Sequence, residues 1–89
     1  MLVTEEQLAA AIAVVTGVCE RYGVTPSISV GPYSDPDAGE GPITMIWAEL
    51  PAPPTLPMYE MAWELAEALR LAHLSAPDLP LRGHLVAAW

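Results

Sequence analysis

The sequence predicts an α+β domain of order α-β-β-α-β, a two-layer sandwich with two helices on one face of a three-stranded, mainly antiparallel sheet. Three observations carry this. Apolar residues recur at helical spacing in residues 8–22 and again in 57–74, and three short segments between and after them switch to a period of two. At 89 residues the chain has the length of one domain, 1–89. Hydrophobic residues make up 53% of it, enough for a packed core rather than a disordered chain.

The first helix opens on a capping signal. Thr4 can cap, Gln7 stands three residues later for a capping box, and Val3 with Leu8 can form a hydrophobic staple. Leu8, Ile12, Val15, Cys19 and Tyr22 then form one stripe, flanked by Ala11 and Val18, and Gly23 supplies the left-handed residue that ends the helix. The lone cysteine, Cys19, falls on this stripe, so it is expected to serve as a small core hydrophobe.

Residues 25–33 alternate, with Ile28 and Val30 on one face and Ser27 and Ser29 on the other, and Pro26 and Pro32 bracket the strand. Residues 34–42, rich in Asp, Gly and Pro, read as a loop and as the most mobile part of the chain. Residues 43–50 form the second strand. Ile43, Met45 and Trp47 share one face and Thr44, Ile46, Ala48 and Leu50 the other, so both faces are largely apolar. That pattern predicts cover on both sides, with Ile46, Ala48 and Leu50 expected on the side covered by a second copy of the chain.

Pro51, Pro53 and Pro54 predict a stiff polyproline-like connector, with Thr55 as cap of the second helix and Pro57 in its first turn. The helix over 57–74 carries a stripe of Met58, Met61, Ala62, Leu65, Leu69 and Ala72, widened by Tyr59, Trp63 and Ala66. Ala76 and Pro77 are expected to stop it. Residues 81–89 are the third strand, with Leu81, Gly83, Leu85, Ala87 and Trp89 on one face and Arg82, His84, Val86 and Ala88 on the other. The long second helix returns the chain, so the third strand is expected parallel to the second. Placed beside the first strand, it gives the order 2-1-3. A stub of strand at Leu2 and Val3 would make the fold a ferredoxin-like variant.

The net charge is −8, with three basic residues, Arg21, Arg70 and Arg82, and no lysine. Direct nucleic-acid binding needs many Lys or Arg contacts to phosphate, and an acidic membrane surface would repel this chain. Neither is expected as a partner. No run of 18 apolar residues is present, and Glu5 and Glu6 stand where a signal peptide would be basic, so a cytoplasmic location is expected.

Chemistry-bearing patterns are few. His73 and His84 lack any metal-ligand spacing, so no metal is expected. Ser27, Ser29, Ser34 and Ser75 sit in no nucleophile elbow. Asp35, Asp37 and Glu40 lie in a polar loop where carboxylates keep ordinary pKa values, and their spacing is too short for a calcium-binding EF-hand. Gly31, Gly39 and Gly41 form no phosphate-binding loop. No cofactor is expected, and no enzymatic activity.

Above this background stands an acidic ridge on the second helix: Glu60, Glu64 and Glu67. Glu60 and Glu64 repel one another at i, i+4, and no lysine relieves them. The ridge predicts a non-catalytic binding module, of the inhibitor or immunity type, for a protein partner with a basic surface. Replacing Glu60 and Glu64 by lysine is expected to leave folding nearly intact. The alternative is a dimer formed through the sheet, enclosing a small apolar ligand in an aromatic-lined cavity near Trp47 and Trp63. The residues carry no family signature, and element order alone does not confer function.

Overall fold

The computed structural model describes residues 3–34, 43–51, 56–75 and 78–87. It contains α1 (Glu5–Arg21), β1 (Ser27–Tyr33), β2 (Ile43–Leu50), α2 (Leu56–Leu71) and β3 (Leu81–Ala87), the α-β-β-α-β order of an α+β sandwich. Residues 35–42 of the loop expected at 34–42, residues 52–54 of the connector expected at 51–54, the Thr55 cap, the stop at Ala76 and Pro77, the Leu2 end of the ferredoxin-like stub and Trp89 lie outside the described residues.

The start of α1 is as the sequence reads. The Thr4 hydroxyl accepts from the Gln7 N–H at 3.1 Å, and the Gln7 side chain accepts from the Thr4 N–H at 2.9 Å. At the other end the Val24 N–H reaches back to the Cys19 carbonyl at 3.2 Å, with Gly23 at φ 75 between them. That is the Schellman geometry, and Gly23 is there because a positive φ suits glycine.

α2 ends the same way without a glycine. His73 takes φ 58 while the Leu74 N–H donates to the Leu69 carbonyl at 2.9 Å. The helix therefore stops at Leu71, ahead of the expected stop at Ala76 and Pro77. A histidine in the left-handed region is costlier than glycine. Its ring lies 2.9 Å from a carboxylate oxygen of Asp78, tying the helix end to the approach to β3.

The sheet is mixed and its order is β1-β2-β3. β1 pairs antiparallel with β2, and β3 runs parallel to β2 as expected, directly beside it. The order 2-1-3 is thus corrected: β2, not β1, is central. The physical reason is in β1 itself, because Pro32 has no N–H for a second ladder and a strand carrying it belongs at an edge. β2, apolar on both faces and free of proline, takes the centre.

Both helices pack on one face, where Ala11, Val15, Val18 and Cys19 of α1 and Met61, Leu65 and Leu69 of α2 meet Ile46, Ala48 and Leu50 of β2 and Leu81 and Leu85 of β3. Ile46, Ala48 and Leu50 therefore face the chain's own helices, contrary to the expectation that a second copy covers them. The face away from the helices carries Ile43, Met45 and Trp47, with Arg82, His84 and Val86 beside them in register. A side chain at Gly83 would come within 2.7 Å of Leu65 and 2.9 Å of Leu69, so the missing side chain lets α2 sit close on β3. On α2 the buried stripe is narrower than the sequence pattern: Ala62 and Ala72 are exposed, and so are Tyr59 and Trp63.

Candidate functional site

The α2 surface turned away from the sheet carries the residues the sequence singles out. Tyr59 is 79% exposed and Trp63 is 73% exposed, one helical turn apart. With Glu60 and Glu64 they line a shallow groove of about 400 Å³. Aromatics at helical spacing usually pack inward, and these do not, because Met61, Leu65 and Leu69 already complete the contact with the sheet. By helical spacing Tyr59 and Trp63 widen the apolar stripe on one side. The signal that separates them is that a turn carrying Met61 and Leu65 needs no further apolar width to cover a three-stranded sheet.

The three glutamates are not equivalent. Glu64 accepts a hydrogen bond from the Tyr22 hydroxyl at 2.9 Å and pairs with Arg21 at 3.4 Å, so it links α2 to the end of α1. Glu67 pairs with Arg70 one turn on, through both the Nε and terminal nitrogens. This contact holds the Glu67 carboxyl below the usual carboxylate range. Glu60 makes no hydrogen bond or ion pair among the described residues, and it stands in the groove between the two aromatics.

Tyr22 feels these charges. Its hydrogen bond to Glu64 raises the phenol pKa above the ordinary 10.0, and burial and the charges of Glu64 and Glu60 push the same way. A raised folded-state pKa stabilises the fold fully below the unfolded value, and that contribution is lost as pH rises through the raised one. Spectrophotometric titration of the wild type against Tyr22→Phe should therefore show Tyr22 ionising above the ordinary value, with stability declining over the same alkaline range. Glu64→Gln should shift this titration toward the ordinary value. Ionisation of Tyr22 at the ordinary value in the wild type would count against the contact.

The remaining candidates are dispersed. Trp47 lies over Gly31 on the face away from the helices, where a side chain at Gly31 would meet its ring at 3.3 Å. Trp63 stands on the outer side of α2, so the aromatic cavity expected near Trp47 and Trp63 is not formed by these two residues within one chain. His73 closes the α2 turn and His84 is exposed on β3. Among the described residues no three His, Cys, Asp or Glu side chains converge as a metal site would require. Cys19 is fully buried, and burial pushes its thiol pKa up, a poor setting for a nucleophile. No described helix is long and apolar enough to cross a membrane. Compared with known proteins, the chain matches no family model, no curated protein and no solved structure.

Proposed function

We propose that the chain is a non-catalytic protein-binding module, of the inhibitor or immunity type, that masks a basic surface of a partner protein in the cytoplasm. Glu60, Glu64 and Glu67 form its acidic side, and Tyr59 and Trp63 its anchors. The observation that supports this most is the exposure of those two aromatics beside an uncommitted Glu60. Large aromatics are enriched at the centres of protein interfaces, and a partner's guanidinium or ammonium group gains both from the ring face and from the carboxylate. The net charge of −8 favours approach of a basic partner and disfavours direct nucleic-acid or membrane contact. Affinity capture from native cell extract tests the reading. A basic protein retained by the wild type, released by high salt and lost with Trp63→Ala or Glu60→Lys supports it; identical retention by wild type and variants overturns it.

A second reading, dimerisation through the sheet around a small apolar ligand, is favoured by the face that carries Met45. There, with no described helix above them, Ile43, Trp47 and Val86 are half-buried and Tyr33 is exposed. An apolar row of this kind is uncommon on a monomer. Light scattering at micromolar concentration should give twice the chain mass if this reading holds, and Trp47→Glu should return it to a monomer. A wild-type monomer removes the reading.

A further inference from the structure

β3 is an edge strand, and its outer edge is open among the described residues. The Thr44 N–H of β2 donates to the Pro80 carbonyl at 2.8 Å. Backbone groups of alternate residues point to the same side of a strand, so Arg82, His84 and Val86 turn theirs toward β2, and Gly83 and Leu85 turn their N–H and C=O outward. Neither Gly83 nor Leu85 bonds any described residue on that side. The other edge, β1, is blunted by Pro32, whereas Leu81–Ala87 contains no proline.

Beside this open edge lies a groove of about 300 Å³ between β3 and α2, lined by Ala66, Leu69, Arg70, Ser75, Arg82 and Gly83. Two of the chain's three basic residues are here. Arg70 shares its charge with Glu67, while Arg82 is exposed and has no ion-pair partner among the described residues. A strongly acidic protein therefore presents, at a backbone edge unpaired among the described residues, an apolar hollow with two arginines at its margin.

We propose that β3 and this groove dock an extended segment of a second protein, added as a fourth strand, with an apolar side chain in the hollow and a carboxylate on Arg82. Main-chain hydrogen bonds to Gly83 and Leu85 supply the pairing, and the hollow and the arginine select the sequence. Ala66 and Leu69 supply the apolar wall of the hollow on the α2 side, and its volume admits a leucine-sized side chain. A second copy of β3 is the poorer occupant, since antiparallel self-pairing brings two rows of Arg82 and His84 together with no carboxylate between them. The site is separate from the Tyr59 and Trp63 groove, and neither depends on the other.

The probe is a capped, strand-forming peptide of alternating threonine and valine with one central leucine followed by glutamate, titrated into the whole wild-type chain. Amide exchange at Gly83 and Leu85 should slow on binding, and exchange in β1 should not. The same peptide N-methylated along the edge that meets β3 should not bind. Exchanging its glutamate for lysine should weaken binding about tenfold, the scale of one charge-assisted hydrogen bond. Arg82→Glu, on the exposed side of an edge strand, should reverse that preference. Unchanged exchange at saturating peptide overturns the proposal, and so does equal affinity for the glutamate and lysine peptides. Gly83 and Leu85 amides already protected in a protein of doubled mass would assign the edge to a second copy and also overturn it.

Discussion

Leu65→Ala is expected to lower stability by about 3 kcal/mol, the centre of the range for a fully buried leucine in a well-packed core. Leu65 is 2% exposed and lies where α2 presses on the bare backbone of Gly83, among Val15, Ile46, Leu69 and Leu81. None of these neighbours can move into the space without leaving a contact of its own. A domain of this size holds about 4–13 kcal/mol in total, at roughly 0.05–0.15 kcal/mol per residue, so the loss is a large fraction. The melting temperature should fall by about 12–24 °C. Urea unfolding should show the loss in the midpoint with the slope unchanged. Tyr59→Ala is the control and should stay within about 0.5 kcal/mol of wild type. A loss below about 1 kcal/mol for Leu65→Ala would mean that α2 is not seated on the sheet as described.

Trp63→Ala is expected to do the opposite, sparing the fold and weakening the partner complex by about 2 kcal/mol or more, roughly thirtyfold in affinity. Trp63 is 73% exposed and contributes little to the core, so whatever it does is done at the surface. Its loss should appear chiefly as faster dissociation, as most changes within one interface do. Glu60→Lys should act differently, slowing association at low salt and converging with wild type as salt rises. Glu64 is a poorer probe than the sequence suggests. It holds the Tyr22 hydroxyl and Arg21, so a Glu60/Glu64 double lysine variant also loosens the junction of α1 and α2, and the expectation that its folding stays nearly intact does not carry over. Surface kinetics on the captured partner decide the matter. Equal rates for wild type and Trp63→Ala would remove the groove from the interface.

Local signals in the sequence translated into structure where a single residue type dictates the geometry. The Thr4 and Gln7 pair, Gly23 and the strict alternation of 43–50 needed no information from elsewhere in the chain. Strand order was legible in principle, since Pro32 marks an edge, although the all-antiparallel neighbours of the order 2-1-3 compete with that signal. Which face of β2 meets the helices was not legible, because Ile46, Ala48 and Leu50 are as apolar as Ile43, Met45 and Trp47. That choice is made by the partners across the gap, above all by Gly83, which admits α2 only on its own side. On α2 the ridge of Glu60, Glu64 and Glu67 was readable as a pattern, yet its division into one free and two engaged carboxylates was not. It depends on where the end of α1 lands, which helical periodicity does not contain.

The parallel joining of β2 to β3 has a consequence for the order in which the protein acquires its shape during synthesis. The β1 and β2 hairpin can close as soon as Leu50 is available, since its pairings are local. α1, made before these strands, has no local pairing of this kind. Val15 and Cys19 belong to a core whose other walls are Leu65, Leu69 and Leu85, residues that leave the ribosome long afterwards. Until they arrive, the apolar stripe of α1 and the Ile46 side of the hairpin are each other's best available cover. Closure of the domain therefore waits on the crossover through α2, and a ribosome paused before Leu65 would hold a nascent chain with a formed hairpin and an unfinished core, a natural client for chaperones.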